Sequence, residues 1–216
     1  MEMKKIVLFG AGGFAKEVAN MINNINHIKV TYELLGFIVE RKYFKQGEII
    51  NGLPVLGDEN WILDHKDVYC TCVISDVYAK KRIHEFLKKN SIKLETIIDI
   101  SGYVSPHSVV GEGCVIYPYV LVSENVEIGE GVLLNSYVSV GHDVKIGSFT
   151  NVMPGTGISG NVQIGEQVNI GGHAFIVPHK KIGDKAVVAA GSIVFSNVKA
   201  GTTVLGNPAM RIRAIE

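Results

Sequence analysis

Beginning at Val104, every sixth residue is aliphatic: Val104, Val110, Ile116, Val122, Ile128, Leu134, Val140, Ile146, Val152, Ile158, Ile164, Ile170, Ile176, Ile182, Val188 and Val194. In a chain that is 47% hydrophobic, such a run in phase arises by chance only about six times in a million. Many of the residues two before these, among them Cys114, Val120, Val126, Val132, Val138, Val144, Val162 and Val168, are apolar too. Side chains alternate along a strand, so both sets point into one interior. Gly111, Gly129, Gly147, Gly165 and Gly183 recur every eighteen residues, which is three hexads. The pattern predicts a parallel β-solenoid with three flat faces, one short strand per face, stacking its own turns as sheet neighbours. These glycines are expected to supply the positive φ that a tight corner needs. A sandwich of short strands would instead place turn signals at intervals of about 8–12 residues.

The first hundred residues read differently. Lys5 to Phe9 is a continuous apolar run suited to a parallel strand buried on both faces. Gly10-Ala-Gly-Gly-Phe-Ala15 follows, then a helical pattern through Val18, Met21, Ile22 and Ile25. Strand, glycine-rich turn and helix open a nucleotide-binding βα unit. Glycines there let the backbone approach a phosphate, and the helix N-terminus supplies amide donors. A second strand is expected over Leu34–Val39, ending at Glu40, and a loop over Arg41–Gly52. Val55–Leu56 is a short apolar piece, and Asp58 is placed to cap a helix running through Leu63. Val68–Ile74 predicts a third strand, Tyr78–Lys89 an amphipathic helix, and Thr96–Ile98 a strand handing over to the solenoid.

Charge and cysteine usage narrow the partners. Lys+Arg and Asp+Glu each number 21, so nothing in the balance suggests nucleic acid or a membrane surface. The three cysteines, Cys70, Cys72 and Cys114, argue against a disulfide framework, because two alternate within a strand and the third faces the solenoid interior. No segment approaches the roughly 18 consecutive apolar residues of a membrane span, and the N-terminus lacks a signal-peptide plan, so cytoplasmic residence is the expectation.

Gly10, Gly12 and Ala15 fill the dinucleotide pattern G-x-G-x-x-A. That pattern needs an acidic residue about 20 positions on, whereas Glu40 lies nearer thirty, and the unit is two strands short of a full dinucleotide fold. A mononucleotide or nucleotide-sugar site fits better. On the solenoid, His142 sits in Ser139-Val-Gly-His-Asp-Val-Lys-Ile-Gly147, one turn after Glu124 and one before Gly160. Two residues beyond an inward aliphatic, a side chain nears the corner and projects sideways. A neutral imidazole there can take a proton from an attacking amine or hydroxyl, oriented by the adjoining Asp143. The same residues also fit a corner without chemistry, since Asn125, Asp143 and Asn161 recur at eighteen and such residues bond their own backbone.

The hexad run over residues 98–206 resembles the hexapeptide-repeat transferases, whose solenoids coil left-handed. With the opening strand and G-A-x-G turn, the whole chain resembles the sialic acid O-acetyltransferase and UDP-4-amino-sugar N-acetyltransferase family. The resemblance implies a Rossmann-like α/β domain over residues 1–97, a left-handed parallel β-helix over 98–206 and a tail over 207–216. It implies that Gly12, Gly13, Phe14, Val39 and Glu40 hold the nucleotide end of the sugar, although relatives are expected to carry a polar side chain where Phe14 stands. It also implies His142 as general base tuned by Asp143, with acetyl-CoA as donor and no metal. The sugar amine would attack the thioester directly, the Gly160 N–H being the candidate oxyanion donor, with no cysteine placed as an activated nucleophile. Asn151 would stand near the acetyl end, where many relatives have His, with Gly172 and Ala190 further along. The segment Gly206-Asn-Pro-Ala-Met-Arg-Ile-Arg213 matches the family's closing G-x-P-A, and Arg211 and Arg213 would either meet CoA phosphates or form a solvated basic tail. Because the family's active site sits between solenoids, a homotrimer is implied.

Three alternatives remain open at this point. O-acetylation of a sialic acid or another cell-surface sugar precursor uses the same machinery. A γ-type carbonic anhydrase shares the solenoid, but its H-x4-H pair is missing here, His173 and His179 being six apart. A trimeric scaffold without activity would bind no acetyl-CoA.

Overall fold

The computed structural model describes residues 3–212. The chain divides into two compact units, Met1–Ile100 and Ser101–Glu216. The first is an α/β domain: β1 (Lys4–Phe9), α1 (Gly13–Ile28), β2 (Tyr32–Ile38), β3 (Ile49–Ile50), β4 (Leu53–Gly57), β5 (Tyr69–Cys72) and α2 (Val77–Lys89). The sheet runs in the order β3-β4-β2-β1-β5. β1 pairs in parallel with both β2 and β5, β4 pairs in parallel with β2, and only the two-residue β3 is antiparallel. Residues Ile6 to Phe9 are buried, as a central parallel strand covered on both faces requires. Helix α1 turns Val18, Met21, Ile22 and Ile25 inward.

Two expectations for this domain change. The Arg41–Gly52 segment is not only loop: it holds a 3-10 turn at Arg41–Tyr43 and β3, which forms a tight hairpin with β4 through Gly52 at φ +81°. The helix expected after Asp58 is a single 3-10 turn, Trp61–Asp64. Asp58 still accepts from the Asn60 N–H at 2.9 Å, but too few residues follow to propagate an α-helix.

The second unit is the solenoid, a left-handed β-helix of the hexapeptide type. Its first face stacks Tyr103–Val104, Leu121–Val122, Ser139–Val140, Gly157–Ile158, Phe175–Ile176 and Ile193–Val194. The second stacks Val109–Val110, Glu127–Ile128, Lys145–Ile146, Gln163–Ile164 and Lys181–Ile182. The third carries Val115–Ile116, Leu133–Leu134, Asn151–Val152, Asn169–Ile170 and Val187–Val188, and ends in a hairpin of Thr203–Leu205 and Met210–Ile212. Partners along each face are eighteen residues apart, as in Ser139↔Gly157. From Ile116 onward every hexad aliphatic is buried, and Val104 and Val110 in the opening coil are half-buried. Each buried aliphatic contributes about 1.5–3 kcal/mol relative to exposure. Thr150 and Thr156 also face inward, their hydroxyls donating to the carbonyls of Gly165 and Met153.

The corners assign the glycines a different task from the expected one. Gly111, Gly129, Gly147, Gly165 and Gly183 do not have positive φ. They are glycine because the next turn passes too close: a Cβ on Gly147 would lie 2.4 Å from the Gly165 carbonyl carbon, and one on Gly183 2.4 Å from Ala200 N. From Val110 to Val188 the left-handed residue falls three after each hexad aliphatic, for example Tyr137, Asp143, Phe149, Gly155, Asn161, Gln167 and His173. Side chains as large as Phe and Tyr accept a conformation that costs about 1–2 kcal/mol, because stacked turns fix the backbone around them.

Candidate active site

The α/β domain and the solenoid each carry a site. In the α/β domain, sequential strands add on one side of β1 up to β4, and β5 then joins its other side. That reversal is the topological switch point, beyond whose carboxyl ends ligands bind in open α/β sheets. A cavity of about 790 Å³ opens there, lined by Gly10–Phe14 of the turn after β1, by Val39 and Glu40, and by Val73–Asp76 beyond β5. Gly10 has φ +129°, and a Cβ there would meet the Val73 carbonyl oxygen at 2.8 Å, so this position requires glycine. Gly12 caps α1 without a side-chain bond, and a Cβ on Gly12 or Gly13 would meet nothing within 4 Å. The turn therefore leaves the helix N-terminus open to the cavity, the arrangement that receives a phosphate.

All five residues expected to hold the nucleotide, Gly12, Gly13, Phe14, Val39 and Glu40, line this one cavity. Its cationic side was not among the residues expected from the sequence. Lys42, Lys45 and Arg82 line the same space, and Arg82 Nη2 reaches Glu40 Oε1 at 2.5 Å with Lys42 Nζ 3.7 Å from Glu40 Oε2. Tyr43 lies beside them, the Lys42 ammonium 4.8 Å from its ring centre. A cluster of Lys and Arg in the segment after β2 and on the first turns of the last helix is a signal the sequence did contain.

On the solenoid, His142 and Asp143 stand at the corner between the first and second faces. Nδ1 of His142 lies 2.7 Å from Asp143 Oδ2, and the side chains are 60% and 47% exposed. Hydrogen bonds from His142, first, and from Asn125 hold the Asp143 carboxyl below the usual range. An ionised carboxylate only accepts, so Nδ1 donates, and in the neutral imidazole Nε2 then carries the lone pair. That Nε2 sits over Gly160: a Cβ there would lie 2.6 Å from it. Among the described residues the Gly160 N–H makes no backbone hydrogen bond, whereas the next N–H, of Asn161, donates to the His142 carbonyl at 2.9 Å. A second pair joins Glu124, one turn before His142, to His107 of the turn before that, Nδ1 and Oε2 again lying 2.7 Å apart.

The expected cofactor contacts divide. Gly172 is half-buried, and Ala190 and Arg211 are exposed, Arg211 on the terminal hairpin opposite Val204. Arg213 lies outside the described residues. Asn151 departs from expectation: it is fully buried on the third face and its amide donates to Asn169 Oδ1 at 3.0 Å, so its side chain is not presented at the surface of this chain. The cysteines offer no activated thiol in the α/β domain. Burial pushes Cys72 up to about 12 and Cys70 well above its ordinary value. Among the described residues no group of three or more His, Cys, Asp or Glu converges to hold a metal ion, and no helix is long and apolar enough to cross a membrane.

Comparisons with known proteins bear on both units. The family model for the PglD N-terminal domain matches residues 5–87, and that for the bacterial transferase hexapeptide (six repeats) matches residues 107–142. A search of curated proteins found no match. Among solved structures, the acetyltransferase domain of PglB from Neisseria gonorrhoeae is 27% identical with a TM-score of 0.86, over 97% of this chain and 100% of that one. WeeI from Acinetobacter baumannii is 28% identical with a TM-score of 0.85, over 98% and 100%. PerB from Caulobacter crescentus, in complex with CoA and GDP-perosamine, is 23% identical with a TM-score of 0.87, over 98% and 99%, a likeness of fold. The chain belongs to the hexapeptide-repeat acyltransferases that carry a PglD-type N-terminal domain. It is accordingly an enzyme, an acyl-CoA-dependent sugar acetyltransferase.

Proposed function

We propose that this enzyme transfers an acetyl group from acetyl-CoA to the amine of a nucleotide-linked 4-amino-4,6-dideoxy sugar, with UDP as the nucleotide. The observation that carries the reading is the His142 Nδ1–Asp143 Oδ2 bond of 2.7 Å on an exposed corner, which leaves Nε2 as acceptor. The sugar nitrogen attacks the thioester carbonyl carbon as Nε2 takes its proton. The C–N bond forms, the oxyanion is met by the Gly160 N–H, and collapse breaks the C–S bond. The CoA sulfur leaves and takes the proton back from the imidazolium, which the Asp143 carboxylate faces throughout.

The cavity beyond β1 and β5 binds the nucleotide end: the α1 N-terminus and the ammonium and guanidinium groups of Lys42, Lys45 and Arg82 suit a diphosphate, and Glu40 suits ribose hydroxyls. The PglB domain has been crystallised with acetyl-CoA and PerB with CoA and GDP-perosamine, which supports this donor and this class of acceptor. CoA lies along a groove between solenoids of a homotrimer, near Gly172, Ala190 and Arg211. Incubation with acetyl-CoA and a UDP-linked amino sugar, a GDP-linked amino sugar or a sialic acid, followed by mass spectrometry, tests the reading. An N-acetylated UDP-sugar is expected. Acetylation of only the GDP-linked sugar would overturn the choice of nucleotide, and acetylation of only a sialic acid would overturn the choice of acceptor.

A further inference from the structure

Asp143 is held from two sides. Its Oδ2 bonds His142 Nδ1, and its Oδ1 accepts from Asn125 Nδ2 at 3.3 Å. Asn125 occupies the same corner one turn earlier, and both residues have φ of 57°, the left-handed conformation that Asn and Asp tolerate well. A carboxylate with one bonded oxygen can still swing about its Cβ–Cγ bond, and this one is half-exposed at a corner. Bonding both oxygens along the eighteen-residue stack fixes its plane. The other neighbours do not do this. Glu124 is drawn to His107, and Asn161 gives the His142 carbonyl only its backbone N–H.

The consequence falls on the tautomer of His142, because the hydrogen bond at one ring nitrogen decides which nitrogen carries the proton. With Asp143 fixed, Nδ1 is the donor and Nε2 is bare. With Asp143 swung aside, the ring can carry its proton on Nε2, the form that cannot act as a base. We infer that Asn125 is a positioning residue for acetyl transfer: its side-chain amide pins Asp143 so that His142 keeps its Nε2 lone pair toward the acceptor. The role rests on reading His142 as the general base.

Asn125→Gly removes the amide but keeps a residue at ease at positive φ, so the corner is preserved. With turnover kinetics and NMR of ring-labelled histidine, this variant is compared with wild type, with His142→Ala and with Asn161→Gly. Asn125→Gly is expected to lower kcat about three- to tenfold, as loss of one hydrogen bond does, with the acetyl-CoA KM unchanged. The share of His142 protonated on Nε2 should rise. Asn161→Gly should match wild type in both. Wild-type kcat and tautomer in Asn125→Gly, alongside an inactive His142→Ala, would overturn the positioning role alone. So would a lowered kcat with the tautomer unmoved. Sustained turnover in His142→Ala would overturn the general-base reading beneath it.

Discussion

The imidazole of His142 lies directly over Gly160, so close that a Cβ on the glycine would sit 2.6 Å from Nε2 and 2.7 Å from Cε1. Gly141 is constrained likewise, its Cβ falling 2.7 Å from Gly160 N. The corner is thus cleared for one ring in one place. Gly160→Ala must push the imidazole off its seat. It is expected to lower kcat by about 10²-fold, the usual effect of misplacing a catalytic group by an ångström, while the melting temperature changes little. Steady-state kinetics and thermal melts check this.

The same clash logic separates two kinds of glycine. Gly147 is squeezed by the next turn, whereas Gly191 has φ +70° with nothing within 4 Å of an added Cβ. Gly147→Ala should therefore destabilise the solenoid by about 1–3 kcal/mol, the cost of overpacking. Gly191→Asn should be near neutral, since Asn already occupies the equivalent left-handed positions 125 and 161. Chemical denaturation of the two variants measures the difference.

At Gly13 a side chain has room to fold but projects where the cavity opens. Gly13→Leu is expected to leave the melting temperature and acetyl-CoA binding intact and to weaken UDP binding at least about tenfold. Isothermal titration with each ligand decides it.

Asp143 sets an acid-side test. Its folded carboxyl value is depressed, so its contribution to stability is complete above the ordinary Asp value of about 3.9 and is lost as pH falls through the lower folded value. Its NMR titration should show a midpoint below the ordinary value. The midpoint should move up in His142→Ala, which removes the larger cause, and up by less in Asn125→Gly.

The solenoid was legible from the sequence because its core repeats with a period that chance does not imitate, and the hexad from Ile116 to Val194 is buried without exception. What periodicity could not convey was why Gly147 or Gly165 is glycine. That depends on the distance between stacked turns, which is a property of the folded chain and not of any one repeat. In the α/β domain the glycine-rich turn announced itself, while β3 did not, two residues being too short to show alternation. Glu40 was found as a strand-end acid, but its partner Arg82 is 42 residues away and no local pattern joins them. Asn151 was placed by resemblance near the acetyl end, and its burial against Asn169 reflects a side-chain pairing across one turn that no local pattern shows. The Asn125–Asp143 bond was visible only as a recurrence at eighteen, where it looked like plain corner chemistry.

Thiol release is the measurement that decides whether the His142–Asp143 corner transfers acetyl to a nucleotide-linked amino sugar. Wild type and His142→Ala would be assayed with acetyl-CoA against a UDP-4-amino-4,6-dideoxy sugar, with CMP-sialic acid, free sialic acid and no acceptor alongside. Wild type is expected to release CoA with the amino sugar alone, and His142→Ala to show a kcat about 10²–10⁴-fold lower at similar acetyl-CoA KM. Equal release by the two proteins, or release by wild type only with a sialic acid, would contradict it.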